Sequence, residues 1–521
     1  MTPSALAPLK APTFRMLWFA WLAANITMWM NDVVAAWLMT SLTHNVVMVA
    51  LVQAASTLPV FLLGLPSGAL ADIVDRRRYF AFTQLWVALV AVVLGVLSLT
   101  GHLTAPVLLA LTFANGIGLA MRWPVFAAIV PDLVPRNELP AALALNGIAM
   151  NVSRVVGPVV AGAFLASAGS AFVFALNAVL SVFALVMILR WKSQQKISVL
   201  PGERFVGPMR VGLQHVAQSP RMKAVLMRIF MFFFQSTALT ALMPLVALRL
   251  QGGAGTFTAL LACMGGGAIT AAFLLPRWRQ KVGRDQFVRW GTVLHALSSV
   301  AAVWAPTIWL AMPAMVLSGV AWIISANSLT MAAQMALPNW VRARGMSIYQ
   351  MALMGGSALG ATVWGLVAQA SNVPTSVMCA AALGLVVMLL TPRLSVGGLE
   401  DEDLSPAAPA VPPAAPAINI APDEGPVMVM VEYLIDPARA DAFDVVMQET
   451  RRARLRQGAL SWSLFRDTAV PGRYIEYFLD ESWLEHQRRL ERFTAADVGL
   501  RERRLSFHLG TEAPKVDRYV A

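Results

Sequence analysis

The chain has 521 residues, 58% of them hydrophobic and 13% charged, with a net charge of +12. So apolar a balance excludes an ordinary water-soluble globular protein of this length and points to a polytopic membrane protein. The basic surplus does not imply a nucleic-acid partner, because Lys and Arg gather beside the ends of apolar runs rather than on one polar stretch.

Runs long enough to cross a bilayer, which takes about 20 residues each, lie at 15–39, 46–71, 79–100, 104–130, 141–168, 171–191, 224–250, 255–276, 286–305, 308–336, 343–370 and 375–391. The first is too long for a cleaved secretory signal and is expected to stay in the membrane. Lys10 and Arg15 precede run one, Arg76 to Arg78 follow run two, and Arg136 follows run four. Six further Lys or Arg follow run six, and basic residues also follow runs eight, ten and twelve. The alternate connections hold little more than His44, His102 and Arg249. Because Lys and Arg near span ends stay on the cytoplasmic side, this bias predicts both termini in the cytoplasm and an even number of spans in the cell inner membrane. Cys263 and Cys379 both lie inside apolar runs, where a small buried hydrophobe is expected rather than a disulfide or metal ligand. No cofactor or metal set is expected, and no G-x-x-x-x-G-K-[ST] loop is present, so ATP-driven work by this chain alone is not expected.

Between runs two and three the sequence reads GALADIVDRRR, a charged cluster dropped between apolar segments. Run four into run five carries Pro135, Gly157 and Gly162; run ten into run eleven carries Pro338, Gly360 and Gly365, all three at a common offset of 203 positions. Two six-span halves of like orientation are therefore predicted. The expected fold class is an all-α polytopic membrane protein with twelve helices in two halves, plus a small α+β module at the end. The expected division is 1–191 for the first half, 192–223 for the interhalf loop, 224–394 for the second half, 395–425 for a linker and 426–521 for the terminal module.

GALADIVDRRR resembles the signature loop of the major facilitator superfamily through Gly68, Leu70, Ala71, Asp72, Arg76, Arg77 and Arg78, with Asp75 where that family usually has glycine. SRVVGPVVAG in run five resembles the antiporter signature of the same superfamily's exporters through Gly157, Pro158 and Gly162. The wider pattern is similar to the branch containing the enterobactin exporter and the transmembrane secretion effectors, over about residues 10–395. The resemblance implies the major facilitator fold and alternating access. It also implies that Asp72 meets the start of run eleven near Arg342 to Gly345, forming a cytoplasmic gate. Many exporters of this superfamily carry an arginine three residues before a Gln-Gly pair in span four; here Thr112 and Asn115-Gly116 stand there.

The residues themselves add three readings. Asp72 lies within reach of helix N-termini, whose partial positive charge favours a carboxylate, and Asp132 is the local acid for Arg76, Arg77 and Arg78; the positive-inside signal alone is the plainer alternative. Charge at bilayer depth costs roughly 2.5 to 3.5 kcal/mol on insertion scales, so Asp32, the lone carboxylate deep in a run, is the candidate proton-coupling group. Its plainer alternative is a static partner for Arg122 or Arg154. Arg122, Arg154, Asn31, Gln53, Asn115, Gln235 and Asn327 offer charge and hydrogen bonds to a substrate, and Trp123 an aromatic wall; packing is the plainer reading of each amide and of Trp123, and snorkelling or helix pairing the alternative for Arg154. Substrate classes in view are drugs, siderophore-like compounds and other small molecules, with lipid around the spans. Export by proton antiport is the leading reading, with import or a non-transporting scaffold as the alternative.

After an acidic, Pro/Ala-rich stretch, VMVMVEYLI alternates as a strand, ARADAFDVVMQETRRARLRQ has helical period, and LSWSLFRD and RYIEYFLDE read as strands. SWLEHQRRLERFTAADVGLRERR reads as one helix, with SFHLG and VDRYV closing a sheet. The order β-α-β-β-α-β suggests a ferredoxin-like fold. The tail resembles the antibiotic-biosynthesis-monooxygenase-like dimeric barrels, with Trp483 and His486 in that family's usual helix. A dimerisation or regulatory module is expected, with homodimerisation through the tail, and an oxygenase as the enzyme-class rival.

Overall fold

The computed structural model describes residues 6–135, 138–191, 206–278, 283–391, 394, 396–397, 403–407 and 417–521. The chain forms two compact units.

Twelve long helices occupy the twelve predicted runs. The first six are α1 (Pro12–Leu42), α2 (Val46–Ile73), α3 (Arg76–Leu99), α4 (Ala105–Leu133), α5 (Leu139–Ser167) and α6 (Ser170–Arg190). A shorter helix, α7 (Val206–Gln218), stands where a loop between the halves was expected. The second six are α8 (Pro220–Arg249), α9 (Ala254–Trp278), α10 (Arg284–Trp304), α11 (Ile308–Met335), α12 (Arg342–Ala370) and α13 (Val373–Leu390). Ten of the twelve are long and apolar enough to cross a membrane by composition; α1 and α10 fall short because each spends apolar positions on polar groups, among them Asn25, Asn31 and Asp32 in α1 and Arg289 and His295 in α10.

Short polar caps fix the connections. The Asn45 side chain accepts from the backbone N–H of Val47 and Met48 to start α2, and Asn372 does the same for Thr375 in α13. Asp75 caps α3 by accepting from the Arg78 N–H, so the acid standing where the family usually has glycine starts a helix. Cys379 is exposed on α13 rather than buried as expected, since it shares a face of the helix with the exposed Leu383 and Val386; Cys263 is half-buried.

The internal repeat is visible as packing. Gly157 of α5 lies against Trp29 and the Ile26 carbonyl of α1, where an added Cβ would fall 2.5 Å from the Trp29 Cβ. Gly360 of α12 lies likewise against the Phe234 carbonyl of α8, 2.3 Å from such a Cβ. Five residues on, Gly162 touches Thr258 of α9 and Gly365 touches Ala50 of α2, each crossing to the other half. Both crossings, with the hydrogen bond from the Val46 N–H to the Gln369 carboxamide oxygen, lie at the bundle end that holds the α1–α2 turn. Small residues let helix backbones approach where side chains cannot.

The second unit comprises Glu203–Val225, Met331–Met346 and Ser395–Ala521. Its sheet runs β2 (Ser461–Arg466), β3 (Arg473–Asp480), β1 (Val427–Leu434), β4 (Lys515–Val520), all antiparallel, the order of a ferredoxin-like fold. Val427, Val429, Val431 and Tyr433 bury one face under α14 (Ala440–Arg456) and α15 (Trp483–Glu491). The single helix expected after β3 is two, because Thr494 and Asp497 form a reciprocal capping box that starts α16 (Ala495–Leu505) afresh. The strand expected at SFHLG is a turn with one bridge, Ile435 to His508.

Candidate functional site

Asp32 lies deep among protein atoms on α1 yet keeps some accessible surface. Its hydrogen-bond partner is Ser56 of α2, not an arginine. The Arg122 and Arg154 side chains are held instead by aromatic rings. Arg122, almost fully buried in α4, sits 5.6 Å from the Trp21 ring centroid, and Trp21 stacks on Phe126 at 3.9 Å. Arg154 lies between Trp29 of the first half at 5.4 Å and Trp322 of the second at 4.7 Å, so one cation on α5 bridges the halves. Cation–π pairs hold a guanidinium without neutralising it, so both charges remain available to an anionic group.

Thr27 and Met28 of α1, Asn115, Leu119 and Arg122 of α4 and Asn177 of α6 line a small cavity inside the first half. Among the described residues, Arg122 Nε and both polar atoms of the Asn177 carboxamide have no partner. Thr112, at the position of the usual exporter arginine, is fully buried and bonds its own helix at Leu108. Asn31 is buried with its Nδ2 unpartnered, and Trp123 packs in the cluster of Met28, Val60 and Leu119 with its indole N–H unpartnered. Gln53 is half-buried on α2 and Asn327 on α11. Gln235 is not gathered with these: its carboxamide lies against Gly384 of α13.

Of the proposed gate, the Asp72 and Asp132 side chains lie outside the described residues. Gly68 sits half-buried near the end of α2. The Arg77 guanidinium donates to the Leu189 carbonyl at the end of α6. Arg78 contributes its N–H to the Asp75 cap, and Arg76 opens α3. Pro158 is buried beside Gly157, inside α5.

Ser56, Trp21, Asn177 and His295 join these groups without having stood out in the sequence. His295 is buried in α10, its Nδ1 3.0 Å from the Ser318 hydroxyl of α11. A single polar residue in an apolar run was the available signal for Asn177 and His295, and it does not separate packing from function.

Similarity to known proteins comes at three levels. The chain is 24% identical over 282 residues to the staphyloferrin A transporter of Staphylococcus aureus, covering 53% of this chain and 70% of that protein. It is 23% identical over 248 residues to macrolide efflux protein A of Streptococcus pyogenes, covering 46% of this chain and 60% of that one, so the match spans less than two thirds of the latter. Among solved structures, a POT family transporter in complex with a thioalcohol-conjugated peptide superposes with TM-score 0.60 at 12% identity, over 74% of this chain and 97% of that one. A bacterial homologue of the human lysosomal transporter Spinster, inward-facing and occupied, superposes with TM-score 0.59 at 15% identity, over 75% and 98%. The twelve-helix bundle thus has the fold of major facilitator transporters, and a match to the transmembrane secretion effector family runs from residue 3 to residue 521, tail included: the chain is a member of that family.

Proposed function

We propose that this chain exports a small molecule across the cell inner membrane by alternating access, driven by proton entry, with both termini cytoplasmic. The observation that carries the reading is Asp32, a carboxylate deep in the bundle with a hydroxyl rather than a cation as partner, and so free to exchange a proton. The named relatives handle a macrolide and staphyloferrin A, and Arg122 with Asn115 and Asn177 offers cationic and amide groups suited to an oxygen-rich or anionic substrate. Cells expressing the chain are expected to accumulate less of at least one compound in a panel of macrolides, siderophores and cationic dyes. A panel on which expression changes nothing would refute the export reading.

The tail is read as a regulatory module. The α7 helix lies against it: His215 Nδ1 is 3.3 Å from the Arg456 carbonyl, Arg210 pairs with Glu481 at 2.7 Å, and Val211 is buried near Gly458. Trp340, in the turn that leads into α12, has His215 edge-on at 5.4 Å and the Arg492 guanidinium over its ring at 5.1 Å. The tail therefore grips the interhalf helix and the α11–α12 turn together, and releasing it would free that turn. Burial first, and then the nearby Arg456, push His215 down to about 4 from an ordinary 6.5. A released His215 takes up its proton at higher pH than a docked one, so the grip is complete above pH 6.5 and is lost as pH falls from 6.5 toward 4. Hydrogen exchange of residues 206–218, corrected for intrinsic rate, is expected to rise on going from pH 7.5 to pH 4.5, and Trp340→Ala to show the same rise at pH 7.5. Equal protection at both pH values contradicts the grip.

On the uncovered sheet face, Met428, Met430, Tyr477 and Leu479 are half-buried and Phe465 and Tyr519 exposed. A second tail laid on this face would make the homodimer. The His486–Asp480 pair, 2.7 Å apart, is the observation that favours a catalytic tail instead; quinol turnover by the full-length protein, abolished in His486→Gln, would establish it.

A further inference from the structure

The interior of the tail holds more positive charge than its acids neutralise. Glu476, with no exposed surface, accepts from Arg454 at 3.0 Å, Trp462 at 3.0 Å and the Tyr433 hydroxyl at 2.9 Å, with Arg504 at 4.0 Å. Burial works against its charge, but Arg454 and Arg504 outweigh it and hold the carboxyl at about 2. Asp480, almost fully buried, accepts from Arg489 Nε at 3.0 Å and His486 Nδ1 at 2.7 Å. Burial raises it, yet Arg489 and the His486 hydrogen bond leave it below the ordinary carboxylate value. Three buried guanidinium groups thus face two carboxylates, and the half-buried Arg518 of β4 acts on His486 from the sheet edge.

Specific atoms are left over. Among the described residues, Arg489 Nη1, Arg504 Nε and Arg518 Nε find no acceptor, and His486 Nε2 has no partner. Burial lowers the His486 pKa, opposed by the Asp480 hydrogen bond and helped by Arg489, which favours the neutral ring. Since the ionised Asp480 takes the Nδ1 hydrogen, Nε2 is a bare acceptor. A buried uncompensated cation and a buried orphan acceptor are both costly, and one guest that brings an anionic oxygen and a hydroxyl hydrogen relieves both.

We propose that the tail binds a small organic anion bearing a hydroxyl group, such as a hydroxycarboxylate, with its anionic oxygen on Arg489 and Arg518 and its O–H donated to His486 Nε2. The Trp483 ring, tilted at 32° to His486 with its centroid 5.3 Å away, supplies an apolar wall suited to an aromatic member of this class. Binding at this site does not depend on export or on the regulatory grip; if the grip also holds, the ligand is what the module senses.

The test uses the full-length protein in detergent with salicylate, benzoate, phenol and inorganic phosphate as probes at constant ionic strength and pH 7. Salicylate is expected to protect peptides spanning 480–492 and 515–520 from hydrogen exchange. Benzoate, lacking the hydroxyl, should need about tenfold more for equal protection, and phenol should give none. Arg518→Met, at the sheet edge where the fold has least to lose, should weaken salicylate about tenfold, and Arg489→Gln should abolish protection. Protection equal for salicylate and phenol, unchanged protection in Arg518→Met, phosphate protecting better than salicylate, or no protection by salicylate would each overturn the proposal.

Discussion

Asp32→Asn is expected to abolish proton-driven export while the protein still inserts and still binds substrate. The amide keeps the shape and the hydrogen bond to Ser56 but never ionises, and a coupling carboxylate must cycle between protonated and ionised forms. Among the described residues no arginine neutralises Asp32; Arg122 and Arg154 face Trp21, Trp29 and Trp322. Asp32→Glu should retain part of the activity, since the titrating group survives and moves by one methylene. The measurement is substrate extrusion against a gradient, alongside binding of the same substrate to purified protein. An Asp32→Asn protein that pumps as well as its parent removes Asp32 from the coupling path.

Gly162→Val and Gly365→Val are expected to impair transport in the same way, because they occupy equivalent places in the repeat. A Cβ at Gly162 would lie 2.4 Å from the Thr258 Cβ, and one at Gly365 would lie 2.6 Å from the Ala50 Cβ. Both contacts cross between halves at one end of the bundle, so a valine at either wedges that end apart rather than unfolding a half. Overpacking of this kind costs roughly 1 to 3 kcal/mol, enough to shift a two-state equilibrium by about tenfold to a hundredfold. Gly157→Val and Gly360→Val act inside a half, on α1 and α8, and should lower melting temperature instead. Cysteine accessibility at the end holding the α1–α2 turn, compared between the two pairs, separates the effects. Equal accessibility in Gly162→Val and the parent protein contradicts this close packing between the halves.

The fold was legible because bilayer-length apolar runs and a 203-residue echo of Pro and Gly leave little freedom, and the echoed glycines do equivalent work. Asp32 stood out as a candidate for the same reason, a lone acid in an apolar run. What the sequence hid was partnership. Asn177 reads as a packing residue until α6 is seen to bring it beside Arg122 and Asn115. The α7 helix, Val206–Gln218, has one short apolar stripe, which acquires a partner only when the tail folds against it. Arg454 and Arg489 read as solvated faces of amphipathic helices; instead their charged sides turn inward onto Glu476 and Asp480, against the usual rule that charge faces water. Period alone cannot tell which stripe is inside when a buried acid on the neighbouring strand reverses the preference.

The central claim, proton-driven export through Asp32, meets its most direct test in everted membrane vesicles, where the cytoplasmic face looks outward. An imposed acid interior should drive uptake of a panel substrate into vesicles carrying the parent chain, collapse with a protonophore, and be missing from vesicles carrying Asp32→Asn at equal protein level. Uptake that ignores the pH gradient, or that proceeds equally in Asp32→Asn vesicles, contradicts the account.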